Sequence, residues 1–198
     1  MDMTSDPIGG AETGRNNYRL AGWLTIIMAI LIVPQVLLAI LFEVTAKGHP
    51  LANILMGAIY LSNAIIGVYI LYMFRVMLNE RYDFHLVDVL INILIAFNVL
   101  SMLNSLLGMI ANLEMIISIL TIVLMIPYGI VQIIFAVRML KLDDDLFGLL
   151  KPFAYTMMAA GICAATIILL LPGLLVAIVN LVIMGMIFLR AKEQVEFI

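Results

Sequence analysis

Long runs of apolar residues alternate along this chain with short polar segments. A helix needs about 20 apolar residues to cross a bilayer core about 30 Å thick. Irregular backbone is not tolerated against lipid, and the runs lack the alternating polarity of barrel strands, so each run predicts a membrane-spanning helix. Six helices are predicted, over residues 20–42, 51–74, 86–110, 113–137, 152–171 and 174–189.

The segments between the runs predict three helical hairpins. Gly-His-Pro at 48–50 separates the first two runs, Ala111-Asn112 the next two, and Pro172-Gly173, a dipeptide typical of turns, the last two. The sixth run, 174–189, is the shortest and would rise only about 24 Å as a helix. We expect a thinner membrane there, or a Pro172-Gly173 turn shielded below the surface by other helices.

The basic residues predict the orientation. Nine of the ten lysines and arginines fall on one side of the predicted bundle, and only Lys47 falls on the other. Basic residues in short loops favour the cytoplasmic side. The sequence therefore predicts an all-α, multi-pass bundle of six transmembrane helices with both termini in the cytoplasm, in a plasma membrane of the bacterial inner-membrane type.

Polar segments flank the predicted transmembrane domain, residues 20–190. Residues 1–19 lack the basic start, short apolar core and small-residue cleavage site of a signal peptide, so we expect a flexible cytoplasmic tail. Residues 191–198 are expected to form a second cytoplasmic tail.

Composition supports a membrane location and narrows the partners. The chain is 65% hydrophobic and 12% charged, whereas soluble domains average about 45–50% and about 25%. Lipid must therefore be the solvent for most of its length. The small net charge of −3 and the lack of a basic, aromatic-interleaved patch argue against nucleic-acid binding. The expected partners are the bilayer, other membrane subunits or further copies of the chain.

Motifs for catalysis or cofactor binding are missing from the sequence. It contains no glycine-rich phosphate loop, no G-x-S-x-G and no H-E-x-x-H. Both histidines, His49 and His85, fall at predicted membrane edges, and Cys163 is the only cysteine. The acidic run 143–145 lacks the glycine pattern of a calcium loop. We expect no catalytic residue, no cofactor and no metal site.

The most charged stretch lies between the second and third helices, from Arg75 to Asp88. His85, Asp88 and Asn92 share one face of the third helix, where they could bind a cation or relay a proton. Alternatively, Asp88 is an anion in the first turn, stabilised by the helix dipole and by Arg75 or Arg81. We expect the second arrangement.

Polar residues inside the other runs have two interpretations. Amides and small hydroxyls commonly hold transmembrane helices together, at about 0.6–2 kcal/mol per hydrogen bond. The alternative is a path for a polar solute between helices two, three and six. The candidates for such a path, besides Asp88 and Asn92, are Asn63, Asn98, Ser101, Ser105, Gln132 and Asn180.

Residues at the ends of the runs are expected to anchor the helices at the membrane interfaces. They are Arg19, Trp23, Arg75, Arg138, Lys151 and Arg190.

The even-numbered helices end alike, as MFR at 73–75, FAVR at 135–138 and FLR at 188–190. A shift of 63 residues also places Arg75 on Arg138 and Phe84 on Phe147. Either the chain repeats a helical hairpin, or phenylalanine and arginine recur because both suit a membrane edge.

Two functions fit these patterns. The compact loops and the lack of charged residues inside the runs, away from their ends, favour a non-enzymatic accessory protein that docks membrane subunits or itself. Mid-helix Pro34 and Pro127, together with the polar stripes, favour a small-solute transporter or channel. We expect the accessory function and keep transport as the alternative.

Overall fold

The computed structural model describes residues 7–45, 49–110, 113–166 and 169–195, and all regular structure within those ranges is helical. A single 3₁₀ turn, Leu146–Gly148, precedes the fifth helix. The six α-helices are α1 Pro7–Thr45, α2 Pro50–Tyr82, α3 Asp88–Leu107, α4 Glu114–Met139, α5 Leu150–Thr166 and α6 Leu170–Val195.

The helices form an antiparallel ring in chain order. Each helix contacts the helices before and after it, and α1 contacts α6 to close the ring. In the first pair, Tyr18 lies beside Glu80 while Gln35 lies beside Asn63, so α1 and α2 run in opposite directions. The most extensive contacts join α4 to α5 and α1 to α6. The predicted hairpins are therefore present, but the tightest packing lies between them.

Glycines permit these two close contacts. A Cβ atom added to Gly161 of α5 would lie 2.7 Å from the carbonyl oxygen of Gly129 in α4. One added to Gly22 of α1 would lie 3.1 Å from the carbonyl oxygen of Gly185 in α6. Small residues let transmembrane backbones approach closely, which strengthens van der Waals attraction where lipid provides no hydrophobic driving force.

The packed core occupies one end of the ring. Four phenylalanines from α2, α4, α5 and α6 converge there: the ring of Phe74 lies 6.3 Å from Phe135, 5.3 Å from Phe153 and 6.0 Å from Phe188. All four side chains are fully buried. Three of them belong to the helix-end motifs at 73–75, 135–138 and 188–190, so these motifs supply part of the buried core.

All six helices contribute to this core with one spacing. Each buries residues at i, i+3, i+4 and i+7, the face that an α-helix presents to a neighbour, and for α3 the first of them is Val87, the residue just before the helix. The sets are 18, 21, 22 and 25; 70, 73, 74 and 77; 87, 90, 91 and 94; 132, 135, 136 and 139; 150, 153, 154 and 157; and 184, 187, 188 and 191.

Two matches support an internal repeat over α2–α3 and α4–α5. Asp83 and Leu146, separated by 63 residues, both adopt left-handed backbone, with φ of 47° and 44°. Asn98 and Gly161, separated by the same 63 residues, each lie against a glycine of the preceding helix. Non-glycine residues rarely adopt positive φ. Two left-handed positions at the same spacing are therefore stronger evidence for a repeat than the phenylalanine and arginine residues shared by the helix ends.

Helix boundaries differ from the prediction at both ends of the chain. α1 is already helical from Pro7, within the segment expected to be a loose tail. Pro172 and Gly173 lie in the first turn of α6 and not in a turn before it. Proline is tolerated there because its missing N–H has no partner within a first helical turn. The loop positions 46–48, 111–112 and 167–168, and the chain ends 1–6 and 196–198, lie outside the described residues.

The fifth helix, and not the sixth, is the short one. α6 has 26 residues, whereas α5 has 17, which rise about 25 Å. By length and composition, five stretches within the described residues are able to cross a membrane: Asn16–Thr45, Pro50–Tyr82, Asp88–Leu107, Met115–Met139 and Leu171–Ala191.

Replacing Gly129 with alanine tests the α4–α5 contact. The new methyl group would meet the backbone of Gly161 and the amide nitrogen of Ala165, so we expect a loss of about 1–3 kcal/mol in unfolding free energy. Gly57→Ala is the matched control, because its methyl would make only ordinary van der Waals contacts, with the side chains of Leu106 at 3.5 Å and Met109 at 3.8 Å. Unfolding of both variants by SDS in mixed micelles gives the comparison. Equal stability of the two would contradict the glycine-dependent contact.

Candidate functional site

Asp88 is the centre of a polar network at the end of the ring that holds the core. It is the first residue of α3. Its carboxylate accepts hydrogen bonds from Arg75 Nε at 3.1 Å and from Asn79 Nδ2 at 3.0 Å, and His85 Nδ1 lies 3.1 Å away. Arg75 and Asn79 belong to α2, so one carboxylate joins two helices and the loop between them.

The surroundings of Asp88 suit an anion. Its side chain is 18% exposed and that of Arg75 is 35% exposed, and the first turn of a helix also favours negative charge. Arg75 donates a second hydrogen bond, from Nη1 to Asn92 Oδ1 at 3.1 Å. The structure thus pairs Asp88 with Arg75, while His85 contacts the carboxylate and Asn92 contacts the guanidinium.

The N-terminal part of α1 joins α2 at the same end. Tyr18 donates a hydrogen bond to Glu80 at 3.4 Å. The guanidinium of Arg81 lies 5.3 Å from the centre of the Tyr18 ring, within the range of a cation–π interaction. Arg81 is therefore occupied by Tyr18 and is not among the hydrogen-bond donors to Asp88.

Two arginines near the ends of α4 and α6 donate hydrogen bonds to backbone carbonyl groups between helices. Arg138, near the end of α4, donates to the carbonyl of Leu86 at 3.0 Å. Arg190, towards the end of α6, donates to the carbonyl of Phe147 at 2.7 Å. Of the other expected anchors, Arg75 is held in the Asp88 network, while Arg19, Trp23 and Lys151 are exposed. Anchoring in a membrane interface remains a prediction for all six.

An amide pair joins the other halves of α1 and α2. Asn63 Nδ2 donates to Gln35 Oε1 at 2.8 Å, and Gln35 Nε2 donates back to Asn63 Oδ1 at 3.3 Å. Gln35 directly follows Pro34. Each amide therefore both donates to the other and accepts from it, which links the two helices at this level.

The remaining predicted amides lie at separate helix contacts. Asn180 of α6 accepts a hydrogen bond from Thr156 of α5 at 3.0 Å. The side chain of Asn98 in α3 lies against Gly67 of α2, where a Cβ would come within 2.5 Å of Asn98 Nδ2. Because α6 packs against α1 and α5, these contacts do not join Asn63, Asn98 and Asn180 into one path.

A polar cavity lies between α3 and α4. Its volume is about 80 Å³, and its lining consists of Ser101, Asn104, Ser105, Thr121, Leu124, Met125 and Tyr128. Asn104 is only 5% exposed. Its Nδ2 donates to the hydroxyl of Thr121, but its Oδ1 is buried and has no hydrogen-bond partner. Two predicted site residues, Ser101 and Ser105, therefore meet here.

Gln132 lies deeper in the bundle on α4. It is 8% exposed, and its Oε1 is a second buried acceptor without a hydrogen-bond partner. Asn98 Oδ1 and Asn79 Oδ1 are also buried and have no hydrogen-bond partner. Buried polar atoms normally have partners, so each of these positions is a candidate for a bound water or ligand.

The sequence analysis missed several polar partners. Asn104 could have been found, because it lies three residues after Ser101 on the same face of α3. Gln35, Thr121 and Thr156 could not, since their importance depends on which neighbouring helix faces them. Asn79 follows Arg75 by one turn of α2 and was overlooked because it carries no charge.

Comparison with known proteins shows no relative: no family model, no curated protein and no solved structure matches the chain. Within the described residues, no three histidine, cysteine or acidic side chains come together as a metal site would require.

Replacing Asp88 with asparagine tests the network. The change keeps the shape but removes the charge that pairs with Arg75, so we expect a loss of about 1–2 kcal/mol in unfolding free energy. The matched control is Asp143→Asn, an exposed acid of the loop before α5 that lies outside the network. SDS titration gives the stabilities. If both substitutions cost the same, the Asp88 network does not join α2 to α3.

Proposed function

We propose that this chain is a multi-pass protein of a bacterial-type inner membrane that acts without catalysis, by docking other membrane subunits or a second copy of itself. The observation that carries the proposal is the closed ring whose centre, at one end, is filled by Phe74, Phe135, Phe153 and Phe188. A packed aromatic centre seals that end against solute. The outward surfaces of the helices are then the part of the molecule free to engage partners.

The use of polar groups supports the same proposal. The amides of Asn63 and Asn180 are bonded to Gln35 and Thr156 on neighbouring helices. Hydrogen bonds of this kind hold transmembrane helices together. Two of the polar residues that would line a solute path between α2, α3 and α6 thus contribute to a rigid bundle, which is the property needed in a scaffold.

The proposed orientation places both termini in the cytoplasm, with all six helices crossing. The α2–α3 loop, the α4–α5 loop, the start of α1 and the end of α6 share one end of the antiparallel ring, and nearly all basic residues belong to this end. Positive charge favours the cytoplasmic side. α5 crosses with its neighbours because it packs against both α4 and α6.

Single engineered cysteines test the orientation. In a Cys163→Ser background, we expect a membrane-impermeant maleimide added to intact cells to label Lys47→Cys but not Lys141→Cys. After permeabilisation both should react. Labelling of Lys141→Cys in intact cells would reverse the proposed topology.

Photo-crosslinking tests the docking function. A benzophenone amino acid at Leu37, which is 62% exposed on α1, should form a discrete protein adduct in the native membrane. The same group at Leu55, which is exposed on α2, probes a second face, and Thr45 serves as a helix-end control. A ladder of lipid adducts alone at Leu37 and Leu55, together with a monomer in native mass spectrometry, would contradict the proposal.

The cavity between α3 and α4 favours a second candidate function, the binding or passage of a small solute. Its lining includes Ser101, Ser105 and Asn104. Solute-dependent swelling of proteoliposomes containing the purified protein, absent from empty liposomes, would support this function over docking alone.

A further inference from the structure

We propose that the cavity between α3 and α4 is a binding site for a small polyol. This inference goes beyond the docking function and does not depend on it. It rests on where the cavity lies, how large it is and which hydrogen-bonding groups line it.

The cavity lies on the sides of α3 and α4 that carry buried core residues further along each helix, and two residues of its lining, Ser101 and Thr121, are exposed. On α3, Ser101 comes two turns after the buried Leu94, and Ser105 comes one turn after Ser101. On α4, Tyr128 comes two turns before the buried Phe135. Residues seven positions apart lie on the same side of a helix. The cavity therefore continues the inner face of the ring beyond the aromatic core.

Its size suits a small molecule. A cavity needs about 10–15 Å³ to hold one water molecule. The observed volume of about 80 Å³ thus accommodates a molecule of several heavy atoms, such as the short polyol glycerol.

The hydrogen-bonding groups call for a ligand that donates. Thr121 gives its hydroxyl hydrogen to the carbonyl of Ile117, and Ser105 gives its hydrogen to the carbonyl of Ser101. Their oxygens retain acceptor capacity, and Asn104 Oδ1 has no partner. Because the Thr121 hydrogen is committed, the Asn104 amide must present its N–H₂ to Thr121, which leaves Oδ1 as the unpaired end.

The rest of the lining selects a neutral, amphipathic molecule. No charged side chain lines the cavity, so a cation would lose its hydration without a compensating charge. Leu124, Met125 and the ring of Tyr128 supply apolar surface, which fits the C–H groups of a polyol while its hydroxyls donate to the oxygens of Ser105 and Thr121. A short carbon chain bearing several hydroxyls combines both properties.

The test is ligand-observed NMR on the full-length protein in deuterated detergent. Saturation-transfer signals from glycerol should saturate in the millimolar range, since very small ligands bind weakly. Propan-1-ol, which has the same carbon chain and one hydroxyl, should bind about tenfold more weakly. Sodium chloride should not displace glycerol.

Two variants locate the site. Ser101→Leu fills the cavity from an exposed helix position, and we expect it to remove the saturable glycerol signal. Ser62→Leu is the matched control, the same change at an exposed position of α2 outside the lining, and it should bind as the wild type does. Asn104→Leu should also abolish binding, and if it does not fold the two serine variants still decide.

Three outcomes would overturn the proposal. One is glycerol binding that is equal in Ser101→Leu and Ser62→Leu. Another is propan-1-ol binding as tightly as glycerol. The third is the lack of any saturable glycerol signal in the wild type, in which case the cavity holds water only.

Discussion

The packing of four phenylalanines at one end of the ring is the interaction on which the rest of the structure depends. In lipid, burying an apolar side chain gains little from the hydrophobic effect, so helices associate through close packing and hydrogen bonds. Phe74 contacts Phe135, Phe153 and Phe188, and thereby links α2 to α4, α5 and α6 across the centre of the ring. The glycine contacts Gly129–Gly161 and Gly22–Gly185 then set how closely the outer partners approach.

Polar side chains also lie between the helices, and they differ in whether their hydrogen-bonding groups have partners. In the Gln35–Asn63 pair each amide donates to the other and accepts from it, so the pair joins α1 to α2. Asn104 is incomplete, because one end of its amide has no partner. A structural amide and a candidate binding residue thus differ only in whether the neighbouring helix offers a matching group.

Much of the fold was predictable because lipid imposes simple rules. The need to satisfy every backbone group makes long apolar runs helical, and all six predicted helices are present. Their ends were less predictable. Pro172 was interpreted as a turn residue although it also suits a first helical turn, and polar residues 7–19 continue α1 although their composition is typical of a tail. Within the candidate site, the surroundings of Asp88 were predictable because the charged segment from Arg75 to Asp88 is short enough for its side chains to contact one another.

The sequence by itself determined the all-helical architecture, the apolar spans and the charged segment around Asp88, since each depends on local composition and on spacing along one helix. Only the tertiary structure decided which helices are neighbours. It separated Asn63, Asn98 and Asn180, brought Ser101 and Ser105 to Asn104 and Thr121, and buried the helix-end phenylalanines against one another. The physical reason is that helical periodicity tells which residues share a face, while the identity of the opposing face depends on how six helices close into a ring.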